Sequence, residues 1–295
     1  MDFAAHLKDA SLVGSDVSSF QVLEDFFEGF PLQNEKQWPL AHLSDGVEPR
    51  YSKALVHTDR FGMDEVLSLE VNYNFKNFSY FLVEDWQYDD AKLELNLESL
   101  VKKGKSFLKN TFVYDLIEKH YRFLKNLADC SKLEKKNILL HVHAHSGKVG
   151  DVLANGGYVW STQGFDFESV SELNIMRLKF HEFAKEHGVD FKFEDLKYFK
   201  HPCHFAAFRT DQKVDGTNLG KAFLLQSSWR GKISADMDEK SEVYRYKKAY
   251  HNLGIEAAER ELSRSFLKMM RRYNKSEQHI FNGKNIFSFI KRLSR

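Results

Sequence analysis

Apolar and polar residues alternate over short stretches in the first half of the chain. The runs Val66–Tyr73 and Phe78–Trp86 contain many β-branched and aromatic residues, and a turn at Asn74–Asn77 separates them. Leucines then alternate with polar residues over Leu93–Leu97, which is the pattern of a half-buried strand. These runs predict an antiparallel meander.

Helical spacing of apolar residues predicts most of the remaining elements. One helix covers roughly Phe107–Ala128, and a second covers about 168–187. The apolar run Asn137–His145 lies between them and reads as a strand. Two helical patterns, about 239–252 and 255–273, close the chain and meet at Asn252-Leu253-Gly254.

Other segments are less regular. Residues 15–27 form a capped amphipathic pattern that predicts a helix, and prolines make residues 31–50 an irregular connection. The segment 189–208 is ambiguous between helix and strand, and Lys221–Trp229 predicts a strand or a buried turn.

This order of elements predicts an α+β fold with a mixed, mostly antiparallel central sheet flanked by helices. We expect a helical or irregular N-terminal extension over 1–50 and an α+β core over 51–210. A mainly helical C-terminal extension over 211–295 completes the predicted organisation.

Charge is nearly balanced over the 295 residues, with a formal net charge of +1 at pH 7, but it is uneven along the chain. The first 48 residues are acidic, whereas 264–295 is basic, so this tail is a candidate contact for nucleic acid. The alternative is that the two ends attract each other or form solvated helix faces. Two cysteines and no membrane-length apolar run predict a cytoplasmic protein with no membrane contact and no disulfide scaffold.

The segment Asn155–Phe167 (NGGYVWSTQGFDF) follows the predicted strand at 137–145 and a glycine-containing loop. Its order suggests a short helix and then a tight Gly-Phe turn. Paired glycines suit a place where another group approaches the backbone closely, and strand-to-helix junctions often hold anions or cofactors. The alternative is a helix-entry turn in which Tyr158 and Trp160 pack as core.

These elements resemble the GNAT superfamily of acyl-CoA N-acyltransferases over about residues 63–170. The sequence motif at Gly157–Asp166 looks like that of a phage- and bacterium-associated branch of the superfamily. In that family a central strand leads into a glycine-containing pyrophosphate-binding turn at a helix N-terminus. A second strand follows, and then a short helix that ends in an aromatic-x-x-x-Gly-Phe signature. The corresponding segments here are Leu93–Leu97, Lys102–Ser106, Asn137–His145 and Trp160–Phe165.

The resemblance implies a site for acetyl-CoA or another acyl-CoA. The residues implied to bind it are Lys103, Gly104, Lys105, Ser106, Asn155 and Trp160. The turn departs from the family pattern, because it keeps only Gly104 of the usual glycines and has lysine in place of Gln or Arg. Backbone N–H groups at a helix N-terminus bind phosphate whatever the side chains, and the lysines add complementary charge.

The resemblance also implies transfer of the acyl group to an amine, whose identity the sequence does not specify. This reaction needs a polarised thioester carbonyl, a base for the amine and an acid for the leaving thiolate. The family often uses a Tyr as the acid where this chain has Trp160, so Tyr158 is the substitute. The candidate bases are Glu94, Glu98 and the histidines of the 137–145 strand, and of these Glu98 and His143 are the predicted catalytic residues.

His141, His143 and His145 alternate and therefore point to one face of the predicted strand. Two of them, His141 and His143, are close enough along a strand to share a metal ion, which gives a metal-dependent hydrolase as an alternative. Two other interpretations of these histidines stay open. They are a row of bases that lines a substrate groove, or they are surface or structural histidines without a role in chemistry. A third function is a catalytically silent GNAT-like module that binds nucleic acid or protein through 264–295.

Overall fold

The computed structural model describes residues 49–58, 65–74, 78–89, 91–104, 112–149, 152–189, 193–209 and 213–276. The helix predicted within 15–27 lies outside these residues, as do most of the predicted N-terminal extension and the end of the basic tail.

The first part of the described chain is rich in strands. Its elements are β1 (Pro49–Thr58), β2 (Glu65–Asn74), β3 (Phe78–Tyr88), β4 (Leu93–Gly104), α1 (Phe112–Cys130), β5 (Ile138–Ala144), β6 (Ser146–Val149) and β7 (Val152–Asn155). Helices dominate the second part. Its elements are α2 (Gly156–Ser161), β8 (Asp166–Phe167), α3 (Val170–Glu186), α4 (Pro202–Ala207), β9 (Lys213–Val214), β10 (Thr217–Asn218), α5 (Leu219–Leu224), β11 (Trp229–Ser234), α6 (Glu242–Leu253) and α7 (Ile255–Ser276).

The chain divides into two compact units. Unit 1 contains the described residues up to His143 together with Lys232–Asp238, and unit 2 contains Ala144–Gly231 and the described residues from Glu239 onward. The division therefore falls at the end of β5, inside the segment 51–210 that the sequence analysis treats as one core.

Unit 1 is built on a mixed sheet in which the order β1-β2-β3-β4-β5 is continued by the second half of β11. Neighbouring strands from β1 to β4 are antiparallel, and β4 and β5 are parallel. The connection between the parallel strands is α1, as such a crossover requires. The predicted α+β class and the mostly antiparallel sheet are thus confirmed.

One face of this sheet is the core of unit 1. Alternate described residues of β3, β4 and β5 are buried there, and α1 covers them with its apolar stripe. The buried stripe of α1 consists of Val113, Leu116, Ile117, Phe123, Leu124 and Leu127. Trp86 and Phe123 make an edge-to-face contact with ring centroids 5.5 Å apart.

Unit 2 is organised around a cluster of aromatic rings. Phe180 of α3 lies within 5.0–5.8 Å, centroid to centroid, of four rings on other elements: Phe199, Phe205, Phe208 and Phe223. Helix α3 lies within the segment 168–187 that the sequence predicts as a helix. The Ser169 side chain caps α3 by accepting a hydrogen bond from the Glu172 N–H.

The prediction of a strand or buried turn over Lys221–Trp229 is wrong for its first half. Residues Leu219–Leu224 form α5, and β11 begins only at Trp229. Leu219, Ala222 and Phe223 are buried at i, i+3 and i+4 spacing, which is the helical period. The apolar run was too short for its period to be read from the sequence.

The two predicted C-terminal helices are present, and the break between them falls at Gly254. This residue has φ of 76°, a conformation that glycine adopts without steric cost. In α7, Ala258, Leu262 and Phe266 are buried, whereas Ile255 is exposed. Among the described helices, none combines the length and the apolar character needed to cross a membrane.

Candidate active site

Pairing of β4 with β5 ends half-way along β4. The parallel register runs from Leu93–Ile138 to Leu97–Val142, but β4 continues to Gly104. On its other edge β4 stays paired with β3 as far as Gly104–Phe78. Within the described residues, therefore, the register of β4 with β5 stops at Leu97 while β4 itself goes on.

A β-bulge lies at the same point. Leu97 pairs with Glu84, and the next pair is Ser99 with Val83, so Glu98 is an extra residue on β4. A bulge leaves its extra residue out of the ladder, bends the strand and increases its twist. The bulge and the end of the parallel register thus coincide within one residue.

Two of the predicted catalytic residues meet at this point of the backbone. Glu98 and His143 are the first residues after the last parallel pair, Leu97–Val142, on β4 and β5 respectively. The side chain of Glu98 is exposed and that of His143 is half-buried. Both lie in unit 1, at adjoining backbone positions on the two strands.

A polar sheet face leads up to this point. Glu94, Asn96 and His141 are half-buried, while their neighbours along each strand are fully buried on the opposite face. His141 Nε2 lies 3.6 Å from Glu94 Oε1, and Lys92 Nζ donates to Glu94 Oε2 at 3.1 Å. The contact with His141, helped by Lys92 and opposed by burial, lowers the pKa of Glu94 to about 2. Glu94 is therefore a carboxylate at neutral pH.

The described residues do not support the metal alternative at His141 and His143. No group of three or more His, Cys, Asp or Glu side chains in the described part of the chain is arranged to hold a metal ion. His145 follows the strand and is exposed.

The predicted pyrophosphate turn differs from the structure in its first half. Lys102, Lys103 and Gly104 are not in a turn but continue β4, opposite Tyr80, Ser79 and Phe78 of β3. The cause is that β3 extends to Phe78 and offers backbone partners for β4 over its whole length. Lys105, Ser106 and the predicted helix start near Phe107 lie outside the described residues, and α1 is described from Phe112 onward.

Tyr158 and Trp160 belong to the interior of unit 2. The Tyr158 hydroxyl donates to Glu259 Oε1 at 2.6 Å, and the side chain is 5% exposed. Burial, with the negative charge of Glu259, raises the pKa of Tyr158 far above its ordinary range. Trp160 is buried and makes an edge-to-face contact with Phe165 at 5.7 Å. The alternative in which both residues pack as core is confirmed.

The paired glycines are required by the protein's own backbone. A Cβ on Gly157 would lie 2.2 Å from the Leu224 carbonyl oxygen and 2.3 Å from that of Ser227. The Gly157 N–H donates to Ser146 Oγ at 2.8 Å, and its carbonyl accepts from Trp229 Nε1 at 2.9 Å. The close approach predicted from the glycines therefore exists, but the group that approaches Gly157 is a neighbouring segment of unit 2.

Asn155 is the last residue of β7. Its backbone pairs with Ser146 in the antiparallel β6–β7 hairpin. This hairpin occupies the place of the predicted glycine-containing loop, and α2 begins directly after it.

Sequence reasoning missed a buried polar network beside the bulge. His120 Nε2 lies 2.9 Å from Glu84 Oε1, and Trp86 Nε1 donates to Glu84 Oε2 at 3.2 Å. His120 Nδ1 lies 2.7 Å from the Leu116 carbonyl oxygen. The signal was available, because a Glu interrupts the buried alternation of β3 and a His interrupts the apolar stripe of α1.

The bulge also had a signal in the sequence. Leu93, Leu95 and Leu97 follow a period of two, but the next leucine is Leu100, three residues after Leu97. Leu100 pairs with the fully buried Leu82. A strand that continues through such a shift must contain one extra residue.

Comparison of the chain with protein-family models, with curated proteins and with solved structures finds no match. The candidate site therefore stands on its own geometry.

Proposed function

We propose that this protein is an acyl-CoA-dependent N-acyltransferase of GNAT-like architecture, with acetyl-CoA or another acyl-CoA as donor and an amine as acceptor. The observation that carries the proposal is the coincidence of the bulge at Glu98 with the end of the β4–β5 register at Leu97–Val142. Two parallel strands that stop pairing give a thioester a place to lie against strand backbone.

The backbone would supply the electrophilic part of the reaction. Peptide N–H groups at a strand end that has left its ladder are donors in a fixed orientation, and they are not consumed by strand pairing. Such donors stabilise the negative charge that develops on the thioester oxygen when the amine attacks. In this step a C–N bond forms, the C–S bond breaks and the thiolate of coenzyme A leaves.

The base is one of the two residues that directly follow the last β4–β5 pair, His143 or Glu98. Either side chain can take the proton that the amine loses on attack. The nearby Glu94 carboxylate, whose pKa is about 2, adds negative potential on this face. The proposal gives Tyr158 no role as acid, because its hydroxyl proton is already donated to Glu259.

The sequence supplies positive charge along the chain after the bulge. Lys102 and Lys103 lie in the part of β4 beyond its register with β5, and Lys105 follows β4 directly in the sequence. Lysine side chains bind phosphate as point charges, so this run suits the pyrophosphate and ribose phosphate of coenzyme A.

The test is a calorimetric titration of the purified protein with acetyl-CoA, followed by an assay of thiol release with a panel of amines. The proposal predicts heat with one-site saturation, and loss of that heat in Gly104→Glu, which adds bulk and charge beside the lysines. Lys135→Gln is the matched control, because Lys135 is exposed and pairs with Asp129 at the end of α1. A flat trace for every acyl-CoA tried would overturn the proposal.

The same assay separates the two bases. Replacement of the true base by Gln is expected to lower kcat by about 100-fold or more, because positioned proton transfer contributes on that order. If neither Glu98→Gln nor His143→Gln lowers kcat, the assignment of the base to this point of the sheet is wrong.

A further inference from the structure

The buried network of Glu84 and His120 contains a charged pair. A carbonyl oxygen only accepts hydrogen bonds, so His120 Nδ1 donates to Leu116, and Nε2 faces a carboxylate oxygen that also accepts. A ring that donates from both nitrogens is an imidazolium. Burial alone lowers the pKa of His120, but the Glu84 charge and the Leu116 carbonyl outweigh it, and the pKa is raised.

Glu84 is the residue of β3 that pairs with Leu97, the last β4 residue before the bulge. The carboxylate is held from two directions, by His120 of α1 and by Trp86 of its own strand. Glu84 and His120 are 4% and 1% exposed, so water does not replace these contacts. The strand position opposite Leu97 is thus fixed to the helix that covers the sheet.

An anchor is needed here because an extra residue can be taken up at more than one place along a strand pair. Moving the bulge by one residue towards Leu93 would carry Leu97 away from its partner and turn it from the core face to the other face of the sheet. In that shifted register Glu98 would be the β4 residue opposite Glu84 on the core face, and a second carboxylate beside the buried Glu84–His120 pair makes the shift costly.

We propose that Glu84 and His120 are positioning residues that fix the bulge at Glu98 and so place the backbone that binds the thioester. This inference rests on the proposed acyltransferase function for its catalytic consequence, but not for its structural one. Neither side chain is assigned a contact with the substrate.

The first arm of the test measures the bulge without any ligand. The variant is the double replacement Glu84→Leu with His120→Leu, which substitutes an apolar pair for the charged pair. Glu118→Gln is the control, because it breaks the Glu118–Arg122 pair on the same helix, in which Arg122 is exposed. Backbone amide resonances and amide exchange of Glu98 and Ser99 are recorded by NMR for both proteins and for Glu84→Gln.

We expect the double variant to shift both resonances and to speed their exchange by about tenfold or more, as a locally loosened segment does. Glu84→Gln can accept from Trp86 with its amide oxygen and donate to a neutral His120 with its amide nitrogen, so it is expected to keep most of the native resonances. If the double leucine variant does not fold, the amide pair Glu84→Gln with His120→Gln is measured in its place. Native resonances for Glu98 and Ser99 in a folded double variant would overturn the proposal.

The second arm measures kinetics with acetyl-CoA. A displaced bulge is expected to raise KM for acetyl-CoA and to lower kcat/KM by about tenfold or more, because the backbone that binds the thioester is then out of place in the bound state and in the transition state. An equal effect of Glu118→Gln would reduce the result to general destabilisation and contradict the proposal. If the unmodified protein binds no acyl-CoA, the proposed function fails, and the NMR arm still decides whether the pair positions the bulge.

Discussion

Each of the two units buries a glutamate, and the two glutamates are satisfied in different ways. Glu84 of unit 1 is 4% exposed and lies against the His120 ring, which carries a charge. Glu259 of unit 2 is 3% exposed and accepts from the Tyr158 hydroxyl and the Asn218 amide, both neutral donors. Burial is the same in the two cases, so the partner decides how each region responds to mutation and to pH.

The charge of the partner decides how much stability is lost when a buried carboxylate loses that partner. Loss of one partner from a charged pair leaves an uncompensated buried charge, whereas loss of a neutral donor leaves one unmet hydrogen bond. The charged pair lies opposite the bulge, and the neutral network lies among packed helices of unit 2.

The largest effect is expected for Glu84→Leu. This replacement leaves the buried His120 imidazolium without its carboxylate partner and should lower the free energy of unfolding by about 3–5 kcal/mol. The double replacement with His120→Leu should lose much less, because no buried charge remains. Urea denaturation of the unmodified protein and the two variants measures both losses. An equal loss in the single and double variants would show that Glu84 and His120 do not form a charged pair.

A smaller loss is expected for Tyr158→Phe in unit 2. Glu259 loses one neutral donor, which should lower the free energy of unfolding by about 1–3 kcal/mol. Tyr121→Phe is a matched control, because its hydroxyl donates to the Met237 carbonyl at 2.9 Å instead of to a carboxylate. The kcat of Tyr158→Phe should stay near that of the unmodified protein. A fall of about 100-fold would instead restore Tyr158 as the acid.

The charged pair should also give unit 1 a pH dependence. The folded pKa of His120 is raised, so its contribution to stability is complete below the unfolded value of about 6.5 and declines as pH rises through the folded value. The slope should reach at most about 1.4 kcal/mol per pH unit. Unfolding free energies of the unmodified protein and the double leucine variant, compared from pH 5 upward, measure it. The difference between them should shrink with rising pH, and a difference that grows would contradict the assignment.

The smallest effect is expected at the partly exposed pair on the polar sheet face. His141→Phe removes the main cause of the low pKa of Glu94, which should rise from about 2 towards its ordinary value. Because the folded pKa is lowered, the pair stabilises the fold above the unfolded value and loses this contribution as pH falls towards 2. The cost near pH 7 should be below about 1 kcal/mol, since water screens the pair. NMR titration of the Glu94 carboxyl carbon measures the shift, and an unchanged pKa would show that His141 is not its cause.

The sequence predicts the regular parts of the fold well. Alternation located β2, β3 and the first half of β4, and helical spacing located α1, α3, α6 and α7. These elements are long enough for their period to show which face is buried. Short elements such as α5 and the β6–β7 hairpin did not show a period, because tertiary contacts rather than local pattern decide their conformation.

The candidate site was predicted only in part, and for a physical reason. Glu98 and His143 were selected as residue types suited to proton transfer, and the fold sets them at adjoining positions where two strands stop pairing. The bulge depends on how β3 and β4 align. The sequence of β4 alone indicates this alignment only through Leu100, which departs from the period of two that Leu93, Leu95 and Leu97 follow. The Glu84–His120 pair joins residues 36 positions apart, so no local pattern links them.

The most direct test of the central claim is acetyl-CoA binding to a variant that lacks Glu98. Deletion of this extra residue leaves the pairs Leu97–Glu84 and Ser99–Val83 as successive members of a regular ladder, so the sheet is expected to fold without its bulge. Glu98→Ala is the companion variant, because it removes the carboxylate and keeps the extra residue. The account predicts one-site heat for the unmodified protein and for Glu98→Ala, and no heat for the folded deletion variant. Unchanged binding in the folded deletion variant would contradict it.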